Sequence, residues 1–317
     1  MTDRLMMKRS RGRDGSSLKH DSETLWYYRV GFTIFFLVQA GVAIWLSLDT
    51  FGEPQAECTW LGTVLRIDAT YRTNAGVKDP SFGVDQYWGG AAITDVGPLN
   101  PSFVIALASA AQFFWLAASW FMSGDETMHA AADYNPFRWW RFAFSHGLVW
   151  LGVAVLAGVS NVWNLVFIVA LTAAWLYDFS KNESHNARDV RLADLDAGKG
   201  FGSVSSWRYV DSFVAALAKF VVVAVAVYVH LGYAAGNDAF DADAVSLPTV
   251  AYITPILGGV VYLALPIIVW LHHADTDVLQ SPLDKEIALY WFNFVFITAA
   301  TWLTLGFSSS IGCPPDV

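Results

Sequence analysis

The sequence predicts an all-α membrane protein, a bundle of seven transmembrane helices whose long external first loop contains a short β-hairpin. Three observations carry this prediction. Hydrophobic residues make up 55% of the 317 positions and charged residues only 15%, a balance too apolar for a soluble protein of this size. Seven apolar stretches follow one another, most of them long enough to cross roughly 30 Å of hydrocarbon as a helix. Lysine and arginine in the connections fall almost entirely on alternate ones, as spans threaded back and forth with a positive inner face require.

Residues 1–24 are polar and basic, with Arg4, Lys8, Arg9, Arg11, Arg13 and Lys19, and read as a disordered cytoplasmic tail. The first apolar run begins near Leu25 without a small-residue cleavage site behind it, so no cleavable signal peptide is expected. Span one is Trp26–Leu48. The external loop, 49–100, is punctuated by Gly, Pro, Asp and Asn between the alternating pieces Thr63–Ile67 and Asp85–Trp88, which predict the hairpin. Span two covers Ser102–Met122 and span three Pro136–Leu156, the latter opened by Asn135-Pro136 as N-cap and first-turn proline. A short turn leads to span four, Val162–Tyr177, which makes spans three and four antiparallel neighbours. A charged connection, Asp178 to Arg208, precedes span five, Val210–Leu231. Span six is Pro248–Leu271, kinked by Pro255 and Pro266, and span seven is Ile287–Phe307. The membrane domain thus covers 25–311, and 312–317 form a short external tail.

Seven spans put the termini on opposite sides of the cell membrane. Arg66, Arg72 and Lys78 alone represent the basic residues on one face, so the N-terminus is cytoplasmic and the C-terminus external in this multi-pass protein. Cys58 and Cys313 then share the external face beside neighbouring helix ends, placed for a disulfide or for two unpaired thiols. The net charge of −9, with acidic loops and few lysines, suits a halophilic setting; it reports orientation and environment rather than nucleic-acid binding.

The Asn135-Pro136-Phe137-Arg138-Trp139 opening of span three, the internal N-terminus and the long external first loop together resemble the heliorhodopsins, a seven-helix rhodopsin-like family inverted in the membrane relative to other microbial rhodopsins. Arg29 and Gln39 in span one, Ser109-Ala110 in span two, and Trp175-Leu176-Tyr177-Asp178 with Asn186 around the end of span four resemble the family's pattern. So do Pro248 to Ile253 opening span six, and Glu286 with Tyr290 leading into span seven. The resemblance covers essentially the whole bundle and is one to a divergent, haloarchaeal-type member. It implies a homodimer, although the Gly258-Gly259 pair is too weak a signal to place the contact.

Departures from the family bear on its cofactor, retinal held as a protonated Schiff base on a seventh-helix lysine. Span seven contains no lysine, and the position falls on Thr298 or Ile297, neither of which forms an imine. The family's glutamate counterion, three residues beyond the motif arginine, is Arg141 here. An arginine would repel an iminium that a carboxylate would stabilise. The histidine preceding the family glutamine is Phe36, and its second-helix partner falls on Gln112 or Phe113. Losing cation and anion together is physically coherent, since an unpaired buried carboxylate costs stability.

The intramembrane polar residues are the candidate site. Arg141 has two readings, a salt bridge to Asp178, Asp211 or Glu286, or an anion or lipid-headgroup site shared with Arg138; Arg138 itself reads as an interface anchor beside Trp139 and Trp140. Lys219 stands deep in span five at a depth comparable to His146, with no nearby carboxylate at that depth. Lys219, His146, Gln112, Asn293 and Thr298 are therefore expected around one interhelical cavity, with Arg141 at the counterion position. Lys219 is either a neutral or hydrogen-bonded interhelical lysine or an alternative attachment point for an aldehyde chromophore. His272-His273 with Asp275 and Asp277 read as a solvated helix end, because adjacent helical histidines diverge by roughly 100°. Asp238, Asp241 and Asp243 lack the glycine and terminal glutamate of a calcium loop. No phosphate-binding loop, zinc-protease motif or nucleophile elbow is present, so no enzyme is expected. The expected function is a light-independent sensory, regulatory or ligand-binding role with a small apolar ligand or lipid and no covalent cofactor. The alternatives are a photoreceptor with noncovalent or Lys219-bound retinal, and a transporter.

Overall fold

The computed structural model describes residues 15–52, 65–76, 89–121, 135–157, 159, 161–195, 214, 217–229, 249–273 and 282–310. In order, these form α1 (Gly15–Gly52), β1 (Leu65–Gly76), β2 (Gly89–Leu99), α2 (Pro101–Phe121), α3 (Pro136–Leu156), α4 (Val162–Leu195), α5 (Leu217–Val229), α6 (Thr249–Tyr262), α7 (Ala264–His273) and α8 (Pro282–Ser310). Both cysteines, Asp211, the acidic segment 238–243 and the chain end 311–317 lie outside the described residues, and with them the readings made of those positions.

Among the described residues, four helices are long and apolar enough to cross a membrane: Glu23–Leu48, Pro101–Phe121, Val162–Lys181 and Leu283–Leu305. Their outer faces carry large apolar side chains, such as Ile34, Val38 and Trp45 on α1 and Phe167 on α4, exposed as only a hydrocarbon solvent favours. The chain is a membrane protein on these grounds. α3 is as long as α2 but more polar, and it supplies two of the buried charges described below, Arg138 and Arg141.

Three helices outrun their expected limits, α8 by a few residues at each end and α1 and α4 by much more. α1 begins at Gly15, inside the segment read as a disordered tail, because Ser16 to Leu25 contains no proline or glycine to stop it. α4 runs through Asp178 to Leu195, where a charged connection was expected; this stretch also lacks a breaker, and at about 51 Å the helix exceeds the thickness of a bilayer core. β1 and β2 pair antiparallel, with Leu65 opposite Leu99 and Gly76 opposite Gly89, and bulges after Ile67 and Arg72. The second strand starts at Gly89, just beyond the Asp85–Trp88 piece that predicted it.

Three helix starts use the same cap. Asn135 Oδ1 accepts from Arg138 N at 3.3 Å, Asn100 Oδ1 from Ser102 N at 2.8 Å, and Asn161 Oδ1 from Trp163 N at 3.0 Å. Pro101 and Pro136 occupy first-turn positions where a missing N–H costs nothing. α6 and α7 part at Leu263 because Pro266 has no N–H for the Tyr262 carbonyl. Buried hydroxyls of Thr33, Ser47, Thr172 and Thr304 donate to the carbonyl four residues earlier, which satisfies them without a partner helix.

α8 is the central helix, packing against α1, α2, α3, α6 and α7, while α1 packs on α2, α2 on α3 and α3 on α4. A buried triad pins α1, α2 and α8: Gln39 Nε2 donates to Ser109 Oγ at 2.7 Å and to Thr301 Oγ1 at 3.3 Å. α2 and α3 approach closely at Gly152, where an added Cβ would sit 2.8 Å from Ile105 Cδ1 and 3.1 Å from the Pro101 carbonyl. Gly152→Val is therefore expected to cost about 1–3 kcal/mol through overpacking. Gly41→Ala, with open space around the new methyl, should be neutral or slightly stabilising in the same unfolding measurement.

Candidate functional site

α3 and α8 run in the same direction, so successive turns of one meet successive turns of the other, and their facing residues form a seam whose polarity falls along its length. The first rung is ionic. Arg138 is fully buried and donates to Glu286 of α8 and Glu183 of α4. Lys285 Nζ lies 3.0 Å from Glu183 Oε1, and Trp139 Nε1 donates to Glu183 Oε2 at 2.6 Å. Within this cluster two cations face two carboxylates, each charge held by an opposite one, as burial in low dielectric demands. Arg138 and Trp139 are therefore core residues and not interface anchors; Trp140, 59% exposed, remains on the outer face.

On the second rung Arg141 is 2% exposed. Its Nη1 donates to Tyr290 Oη at 3.3 Å, and its guanidinium carbon lies 4.6 Å from the Tyr290 ring centre and 5.5 Å from that of Phe142. None of the described carboxylates expected as its partner takes that place. Glu286 is drawn to Arg138, one turn nearer the helix start, and Asp178 pairs with Lys219.

The third rung is a neutral network. His146 contacts Asn293 Oδ1 through Nε2 at 2.8 Å and the Tyr262 hydroxyl through Nδ1 at 3.0 Å. Gln112 Nε2 donates to the same Asn293 oxygen at 3.1 Å and to Ser145 Oγ, which in turn donates to the Arg141 carbonyl at 2.9 Å. An imidazole donating from Nε2 and accepting at Nδ1 satisfies all of these contacts together. Beyond it the seam turns apolar. Tyr262 stands in a cluster of rings from four other helices, 4.6 Å from Trp175, 4.7 Å from Phe296, 5.4 Å from Trp150 and 5.5 Å from Phe220, centre to centre. A cavity of about 100 Å³ follows, bounded by Val149, Trp150, Val153, Thr254, Val261 and Phe296.

The residues expected around one cavity divide three ways. Gln112, His146 and Asn293 come together as hydrogen-bonded partners, and Arg141 lies one turn away on the same seam. Thr298 does not join them: five residues past Asn293 is about 140° round the helix, and its buried Oγ1 has no hydrogen-bond partner. Lys219 is elsewhere altogether, its side chain 34% exposed and ion-paired with Asp178 of α4. Its depth in the sequence misleads because the opposite charge it needs comes from a helix read as ending there.

Glu183, Lys285, Tyr262, Ser145 and Tyr290 belong to the same seam and are not among the site residues expected from the sequence. Glu183 carried a signal, standing four residues beyond Phe179 and seven beyond Leu176 on the inward face of α4. Lys285 was hidden because span seven was expected to begin at Ile287, whereas α8 begins at Pro282.

Of the two positions on which the resemblance would place a Schiff-base lysine, Ile297, four residues after Asn293, continues the seam and is fully buried, and Thr298 lies off it; neither carries an amine. The rings around Tyr262 occupy the centre of the described bundle, and the cavity beside them is well under the ~300 Å³ at which drug-sized ligand pockets begin. Neither family models nor curated proteins match this sequence.

Proposed function

We propose that the chain is a heliorhodopsin-like seven-helix membrane protein, with a cytoplasmic N-terminus and external C-terminus, that acts without light as a sensory, regulatory or ligand-binding protein. The observation that supports this reading is that Thr298 and Ile297, on which the resemblance places the lysine, carry no amine, while Lys219 is engaged by Asp178. Counting α6 and α7 as one broken span gives seven bundle helices, and the shared direction of α3 and α8 agrees with both being odd-numbered spans. The homodimer belongs to this reading also; Gly259 is used within the chain, against Tyr228, so the small-residue pair is not its natural seat.

The ligand we favour is small and apolar. The cavity between α3, α6 and α8 is bounded almost wholly by hydrocarbon, and the buried Thr254 hydroxyl, which has no hydrogen-bond partner, supplies one polar anchor. Transport is less well supported, because the two buried acids of the seam, Glu183 and Glu286, are both engaged by Arg138. Purifying the full-length protein with all-trans retinal tests the proposal. No visible absorption band is expected, and a band that hydroxylamine bleaches and Lys219→Ala removes would establish the photoreceptor instead.

A further inference from the structure

We propose that Arg141 and Tyr290 form a site for a small monovalent inorganic anion of the halide class, buried between α3 and α8. The inference rests on charge balance and does not depend on the function proposed above. In the first rung Arg138 and Lys285 are matched by Glu183 and Glu286, leaving that cluster neutral. Arg141, one turn along, adds a positive charge with no carboxylate among the described residues to offset it. A guanidinium does not give up its proton inside a protein, so the burden of an isolated buried charge cannot be relieved by neutralisation. The two ring faces beside it offset only part of that cost.

The donors around this charge are all of one kind. Arg141 Nε and Nη2 are buried and meet no acceptor. Tyr290 Oη accepts from Arg141 Nη1, which leaves its own O–H to point elsewhere. Two guanidinium nitrogens and a phenol O–H are thus left with no acceptor beside an uncompensated charge, the converse of a cation site, and an anion would answer both the charge and the hydrogen bonds. The neighbouring Ser145 and Asn293 do not compete, because Ser145 donates to the Arg141 carbonyl and the Asn293 oxygen accepts from Gln112 and His146. The hemming rings of Phe142 and Tyr290 favour a compact ion over a larger oxyanion.

Full-length protein in zwitterionic micelles, dialysed into sodium gluconate and titrated with sodium chloride at constant ionic strength, gives the test through its thermal unfolding. The unfolding temperature is expected to rise with chloride and saturate, with bromide acting alike. Arg141→Met should fold, since an apolar isostere removes a desolvation cost, and should lose the response. Tyr290→Phe keeps the ring but loses a donor and should weaken chloride about tenfold. Should Arg141→Met not fold, labelled chloride bound to the unmodified chain decides the matter, with a single ion per chain expected. Absence of bound chloride, a response unchanged in Tyr290→Phe, or stabilisation by oleate in place of chloride would overturn the assignment.

Discussion

Glu183→Ala is expected to lower the unfolding free energy by about 3–5 kcal/mol, the cost of breaking a buried ion cluster by removing one member. Glu183 accepts from Arg138 and Trp139 and pairs with Lys285, so its loss takes a carboxylate from two buried cations at once. Asp178→Ala is the matched control on the same helix. It breaks the Lys219 pair, which is partly exposed, and should cost about 0–1 kcal/mol. Chemical unfolding in mixed micelles measures both, and equal losses would mean that the buried cluster does not hold α3, α4 and α8 together. Replacing Arg138, Glu183, Lys285 and Glu286 jointly by apolar residues should recover much of the loss, because the cluster's own desolvation cost disappears with it.

Tyr262→Ala should be comparably damaging, about 3–5 kcal/mol, as for other large aromatic truncations. The side chain is fully buried and meets rings from α3, α4, α5 and α8, so the hole it leaves would sit at the meeting point of the bundle. Tyr262→Phe separates packing from polarity: it keeps the ring and removes only the hydroxyl facing His146 Nδ1, for about 1 kcal/mol. A loss in Tyr262→Phe as large as in Tyr262→Ala would shift the weight from the rings to the hydrogen-bonded network.

Much of this architecture is legible in the sequence, because membrane helices announce themselves by length and apolarity. Pro136 to Leu156 agrees with its expected limits at both ends, fixed by the Asn135-Pro136 cap and the turn after Ala157. The break before Pro266 is equally a property of local sequence. Hydropathy alone fails where a helix leaves the apolar region, as at Asp178, since charged residues that favour helix as well as loop cannot be told apart by polarity. That one boundary hid Glu183 and with it the true partners of Arg138, and it also concealed Asp178 as the partner of Lys219. For the site, the residue types were readable and their pairing was not. Gln112, His146 and Asn293 stand out as polar residues in apolar helices, but whether Glu286 meets Arg138 or Arg141 depends on a helix offset of a single turn. Tyr262 was invisible for a different reason, since an aromatic residue in an aromatic-rich helix carries no mark of being the one at the centre.

The proposed function requires that no lysine of the bundle be placed to hold a retinal Schiff base. Incubating the full-length protein with all-trans retinal, reducing with borohydride and locating any retinyl group by peptide mass analysis tests it at the bond itself. No retinyl lysine within the bundle is predicted, whereas a stoichiometric adduct on Lys219 or Lys285 would contradict the claim.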